Sequence, residues 1–181
     1  MSKRILAGVA LFLCVSALGQ KTESNKPPQS MPPAEIKRTL EAIAGTWSGK
    51  MTAKVPGLAA ETFDWAMDCK PVAQGAGASC TNFGTASIGS MAESCLLAYD
   101  PVGKAVHYMC VTSMGEVHDH KGQWKDAKTI EFEPLRGGMM GQLVTETNRW
   151  YFPDGNTIDK TSIVTLADGS SLNFEFIGKR R

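Results

Sequence analysis

Three kinds of side chain in this sequence could do chemistry: a close pair of histidines, the four cysteines that follow Cys14 and a large complement of methionine. His118 and His120 stand at i and i+2 in a stretch of strand character, so both imidazoles face one side and could hold a metal ion. Trp124 shares their phase if no bulge intervenes at Gly122. No third ligand is identifiable from spacing. With Glu116, Asp119 and Lys121 around the pair, the expectation is a solvated polar stretch and no metal site. The nine methionines, Met67, Met91, Met109 and Met114 among them, could supply soft ligands or an adaptable apolar surface, but core filling is the expectation. Met139 and Met140 differ, because Gly137, Gly138 and Gly141 place them in a loop where exposed thioethers could form the lip of a cavity.

Catalytic patterns are missing. There is no Gly-x-Ser-x-Gly elbow, no histidine beside a recognisable acid partner, and no free thiol once the exported cysteines pair. Asp64 and Asp68 lie four apart on a strand and read as outward, solubilising charges. The glycines at 75, 77, 137 and 138 lack the following helix that a phosphate-cradling loop uses. No catalytic residue is therefore assigned, and enzymatic activity is unsupported.

The elements that must position these groups are almost all strands. From Trp47 onward about ten alternating segments fall at 46–55, 60–70, 78–84, 92–99, 105–113, 116–124, 128–133, 142–152, 157–166 and 171–178. Turn-forming residues separate them, among them Pro56-Gly57, Asp100-Pro101-Val102-Gly103, Arg136-Gly137-Gly138 and Asp168-Gly169. Short links imply antiparallel neighbours, and an up-and-down succession of this length either closes into a barrel or splits into a sandwich, with closure having the advantage of removing exposed edges. The expected fold is thus all-β, an antiparallel up-and-down barrel over residues 34–181. One short helix over residues 34–44, with Ile36, Leu40 and Ile43 on one stripe, covers an end.

Facing follows from alternation. Phe63, Trp65, Met67 and Cys69 share one side of their strand, and Leu172, Phe174 and Phe176 share one side of the last. Carrying the cysteine phase across the sheet places Leu97, Tyr99, Tyr108 and Thr112 inside and His107 outside. The interior expected from this is aromatic, with a few hydroxyls.

Cysteine spacing fits the same meander. Cys69 and Cys80 are symmetric about a Gly-rich turn, and Cys95 and Cys110 about the turn at 100–103. A bridge from Cys80 to Cys95 would leave Cys69 and Cys110 three strands apart, roughly 14 Å at ~4.8 Å per strand. Disulfide reach ends near ~7 Å, so a simple meander permits Cys69–Cys80 with Cys95–Cys110. Metal ligation, the alternative for these thiols, would usually show a Cys-x-x-Cys pair, and none is present.

Length, charge and the N-terminus bound the rest. The 181 residues suit one domain, and 19 basic against 18 acidic side chains without a basic block give no footprint for nucleic acid. Lys3 and Arg4, the apolar run from Ile5 and the small residues Ser16-Ala17-Leu18-Gly19 read as a signal peptide over 1–19. That run is short of the ~20 residues a membrane span needs, so no stable anchor is expected. Leu13 stands where a lipoprotein signal before Cys14 would carry a small residue. Residues 20–33, rich in Pro, Lys and Ser, read as a disordered linker. The expected location is periplasmic or extracellular, where an even set of four cysteines oxidises. Oligomeric state is not readable from these patterns.

Gly45-Thr46-Trp47-Ser48-Gly49 after a short helix, then Leu97-Ala98-Tyr99-Asp100-Pro101-Val102-Gly103-Lys104, Ser113-Met114-Gly115 and Lys121-Gly122-Gln123-Trp124 occur in an order that resembles secreted bacterial lipocalin-like proteins of unknown function, within the wider calycin-type barrels. The resemblance covers most of residues 35–181. It implies that Trp47 plugs the closed end between Gly45 and Gly49, under a C-terminal basic residue, Arg180 or Arg181, in cation-π contact. Nitrobindins, a neighbouring branch, open with a similar Gly-x-Trp-x-Gly and bind haem through a histidine near the C-terminus. No histidine follows His120 here, so that scheme lacks its ligand and no cofactor is expected.

Together these readings point to a binder of a small apolar or amphipathic molecule, with Trp65, Met67, Leu97, Tyr99, Tyr108, Phe174 and Phe176 lining the cavity. A sealed structural or protein-interaction barrel is the first alternative, and a haem-binding or enzymatic barrel the second.

Overall fold

The structure, a computed structural model, describes residues 34–87, 89–139 and 141–181. The expected signal peptide and linker, and Met140, lie outside the described residues. Helix α1 (Ala34–Ile43) is followed by β1 (Gly45–Lys54), β2 (Glu61–Val72), β3 (Gly77–Ala86), β4 (Gly89–Asp100), β5 (Ala105–Thr112) and β6 (Val117–Trp124). Then come β7 (Thr129–Phe132), β8 (Leu135–Met139), β9 (Gln142–Asp154), β10 (Thr157–Thr165) and β11 (Ser171–Arg180).

Every pairing is antiparallel, and the order β10-β11-β1-β2-β3-β4-β5-β6-β7-β9 closes on itself because β9 also pairs with β10, from Thr157 with Asp154 to Thr165 with Thr145. Ten strands form the closed ring. The remaining strand, β8, pairs with β9 alone, through Leu135 with Glu146 to Met139 with Gln142.

Strand β8 is a correction to the sequence reading, which took Arg136-Gly137-Gly138 as a turn and Met139 as part of a loop. Pro134 carries no N–H to donate, so the ladder is interrupted after Phe132 and resumes along the same neighbour once the backbone has passed the proline. Glycines weaken a strand without forbidding one, and β9 supplies the partner that keeps this segment extended.

The closed end is built from α1 and the motif that follows it. Ile36, Thr39, Leu40 and Ile43 are the buried positions of α1, an i, i+3, i+4, i+7 stripe laid on the barrel end. Trp47 is fully buried beneath the helix and its indole N–H donates to the Ile43 carbonyl at 2.8 Å. Arg180 stands over the indole with its guanidinium carbon 4.5 Å from the ring centroid, and the same group donates to the carbonyls of Ala44 at 2.7 Å and Ala42 at 2.8 Å. One side chain therefore satisfies helix-terminal acceptors and presses on the plug. Of the two arginines considered, Arg180 takes this role, while Arg181 donates to the Ser48 hydroxyl.

Two glycines make this packing possible. Gly45 turns the chain out of α1 at φ +122°, and a Cβ on Gly49 would lie 1.9 Å from the Ile177 carbonyl oxygen. A side chain there would push β1 away from β11.

Candidate functional site

Barrel shear decides which residues reach the open end. Cys69, Cys80, Cys95 and Cys110 stand opposite one another in turn across β2, β3, β4 and β5, and Cys110 is in turn opposite His118 on β6. The row begins beside Gly45 at the closed end and, because the strands are staggered, arrives at β6 in the open half of the barrel. Two disulfides, Cys69–Cys80 and Cys95–Cys110, lie on it.

An interior cavity of ≈ 140 Å³ occupies the open half. Its apolar wall is Met51, Trp65, Met91, Phe174 and Phe176, with Cys110 and Val164. Met114, half exposed in the β5–β6 turn, and Met139 on β8 stand where the space reaches the surface. This is the lip position expected of Met139, reached from a strand rather than a loop.

The seven expected lining residues divide by depth. Trp65, Tyr108, Phe174 and Phe176 line the cavity. Met67 and Leu97 are fully buried in the packed core instead, and Tyr99 packs on that core from a partly exposed position. Met67 pairs with Trp47 across β1 and β2, which puts it within the plug.

The opposite wall of the cavity is charged, which corrects the expected interior of aromatics and a few hydroxyls. Glu93, Glu116, His118, His120, Glu146 and Lys160 all line it. The two histidines are not the solvated stretch that their neighbours suggested: Val117, Asp119 and Lys121 take the outer face, while His120 is 4 % exposed, Glu116 6 % and Glu146 7 %. His107 does lie on the outer wall, against Asp119 at 3.0 Å.

Glu146 on β9 is the centre of this group. Its Oε2 lies 3.0 Å from His118 Nδ1 and 3.5 Å from His120 Nε2, and its Oε1 accepts from the Ser162 hydroxyl at 2.6 Å. Glu116 Oε2 is 3.4 Å from the other nitrogen of His118, and the two imidazoles stack with centroids 5.5 Å apart. The hydrogen bond to Glu146 holds the His118 pKa above its ordinary value. Burial pushes His120 down. Burial also works to raise Glu146, but His118, His120 and Ser162 outweigh it and leave the carboxyl below its usual range.

A second polar group lies between this one and the core. Asn82 donates to Tyr108 Oη at 3.0 Å and to Glu93 Oε2 at 2.7 Å. Tyr108 meets Trp150 edge-to-face at 4.7 Å, and its buried phenol is pushed above its ordinary pKa by desolvation. The Lys160 ammonium stands 4.7 Å from the centroid of the Trp150 ring and 5.2 Å from that of Tyr108, and burial lowers its pKa.

Several buried polar atoms in these groups have no hydrogen-bond partner among the described residues: Glu116 Oε1, His120 Nδ1, Asn148 Oδ1 and Asn82 Oδ1. A buried group left in that state costs about 1–3 kcal/mol, so such atoms normally meet water or a ligand. Three of them, Glu116 Oε1, His120 Nδ1 and Asn148 Oδ1, belong to residues that line the cavity, so its polar side is incompletely paired.

Sequence reasoning passed over Glu93, Glu116, Glu146 and Lys160. The signal existed for the histidines, because Cys110 and His118 are symmetric about Met114 and the cysteine phase carried one strand further turns His118 inward. On β9, Val144, Glu146, Trp150 and Phe152 are all buried and in phase, so the apolar members mark Glu146 as inward too.

No family model and no curated protein matches the sequence. Among solved structures, the chain is similar to Rv2717c from M. tuberculosis, at 15% identity and TM-score 0.65 over 82% of this chain and 98% of that one. It is also similar to the S-type phycobiliprotein lyase CPES from Guillardia theta, at 11% identity and TM-score 0.57 over 82% and 94%. At these identities the likeness establishes a shared barrel fold.

Proposed function

We propose that this protein is an exported lipocalin-like barrel that binds one small amphipathic molecule in its open half. The carrying observation is the two-sided cavity, with an apolar wall of Trp65, Met51, Met91, Phe174 and Phe176 opposite buried ionisable groups with unsatisfied polar atoms. An apolar ligand alone would desolvate the ionisable groups that line this wall without giving them a partner. An amphipathic one satisfies both walls, so the broader class expected from sequence narrows to its polar-tipped members.

Volume limits the size. A dry engineered cavity of about 150 Å³ holds a benzene-sized molecule, so the ≈ 140 Å³ here takes one ring or a short chain, with any longer tail lying out between Met114 and Met139. Export is part of this reading, supported by the N-terminal charge and apolar pattern and by two disulfides, which persist in oxidising compartments. A binding role also agrees with one barrel neighbour being a phycobiliprotein lyase.

Native mass spectrometry of the protein purified from its own host tests the proposal. The expected spectrum shows the mature chain with one small co-purified mass that denaturation releases. A bare mature chain under gentle conditions, in protein whose two disulfides are intact, would count against it.

A further inference from the structure

We infer that His118, His120 and Glu146 form a binding site for a divalent metal ion of the Zn²⁺ class. The inference stands on ligand geometry and is independent of which organic molecule, if any, the cavity takes. One ligand atom from each of the three residues lies within 4.8 Å of the others on the cavity wall, and His118 Nδ1 and His120 Nε2 are 3.0 Å and 3.5 Å from Glu146 Oε2.

Magnitudes favour an ion over a chance cluster. Zinc sits about 2.0–2.2 Å from nitrogen and carboxylate oxygen, so two ligands on a tetrahedral ion are about 3.4 Å apart. Two of the three separations here, 3.0 Å and 3.5 Å, already match that edge. The histidine–histidine separation lies within 4.8 Å.

The surroundings also suit a metal. Glu116 Oε2 lies 3.4 Å from the His118 nitrogen that faces away from Glu146, a carboxylate–histidine pair of the kind that fixes ring orientation in metal sites. Ser162 holds the non-ligating oxygen of Glu146 at 2.6 Å.

Two imidazoles and one carboxylate select a borderline divalent ion over Ca²⁺ or Mg²⁺, which prefer all-oxygen sets. Three protein ligands leave a coordination position open toward the cavity, as sites that bind an exogenous donor do. The other cluster of potential ligands among the described residues, Glu93 with Cys95 and Cys110, is excluded because those sulfurs form a disulfide.

Calorimetric titration of the oxidised, chelator-stripped full chain with Zn²⁺ tests the inference, with Co²⁺ absorption as a spectroscopic readout of coordination. The expected result is one ion per chain, weakened at least about 100-fold by His120→Gln or Glu146→Gln and about 10-fold or more by Glu116→Gln. His107→Gln, on the outer wall, leaves the affinity unchanged. Absence of stoichiometric Zn²⁺ binding, or binding that survives both ligand substitutions, overturns the site and leaves a metal-free ion-pair network. Should the variants fail to fold, anomalous diffraction from Zn²⁺-soaked crystals of the unmodified protein decides: a peak between the two imidazoles and Glu146 supports the site, and a peak elsewhere or none overturns it. Fluorophore binding in the cavity is scored separately, so failure of one reading is distinguishable from failure of the other.

Discussion

Trp47 shows how much of a barrel end can depend on one side chain. Its indole is fully buried, its N–H is taken by the last turn of α1, and its outer face carries Arg180. Trp47→Ala removes a large ring from a site hemmed in by close backbone at Gly49, where collapse is limited, so unfolding free energy falls by about 3–5 kcal/mol. Urea denaturation measures this, and a midpoint equal to the parent's would mean that the plug is misassigned. The pairing of Trp47 with Arg180 or Arg181 came from the resemblance of Gly45-Thr46-Trp47-Ser48-Gly49 to lipocalin-like openings, because a Gly-x-Trp by itself is too common to mark a plug. Glu146 and Lys160 were not, because a charge in a strand is almost always outward, and here both face the cavity.

At the scale of elements, the hairpins carry the argument. The β2–β3 and β4–β5 pairs bring Cys69 opposite Cys80 and Cys95 opposite Cys110, while β3–β4 brings Cys80 opposite Cys95 as well. Register alone therefore permits the middle bridge, and it is the stranding of Cys69 and Cys110 that excludes it. Non-reducing peptide mapping of the oxidised protein is expected to recover the two hairpin bridges. Replacing Cys95 and Cys110 together by alanine is expected to lower stability by about 2–3 kcal/mol through the freed unfolded loop. A recovered Cys80–Cys95 peptide would overturn the hairpin pairing and leave Cys69 and Cys110 unbridged. The same ladder explains what alternation could and could not reveal. Strands β2 and β11 read correctly because each carries three or more apolar side chains in phase. The inward face of β6 is His118, His120, Gly122 and Trp124, so only one apolar side chain, at the far end of the strand, marks it, and β8 has a glycine pair where a pattern would be.

For the whole molecule, the division of labour runs along the barrel axis. Helix α1, Trp47 and Met67 fill one half, and the other half keeps a cavity between an apolar wall and a charged one. The closed all-β barrel with one helix at its end was readable from strand count, turn signals and short links. Whether its interior was open was not, since that depends on shear, which carries Met67 and Leu97 into the core and Cys110 and His118 into the cavity wall. Three buried or half-buried carboxylates, two imidazoles and an ammonium around a space of ≈ 140 Å³ are costly to stability unless something polar enters. Their presence is the physical reason for assigning this half of the barrel to binding.

The most direct test of that assignment is titration of the oxidised protein with a small fluorophore that carries one apolar ring system and one polar tip, compared with a neutral apolar analogue. Met91→Trp serves as the block, because Met91 lines the cavity from a half-buried position where a larger side chain narrows the space without entering the plug. The account predicts saturable binding at one site per chain, tighter for the polar-tipped probe, and weakened about 10-fold or more by Met91→Trp, each tenfold step being about 1.4 kcal/mol. No saturable binding of either probe, or binding indifferent to Met91→Trp, would contradict it.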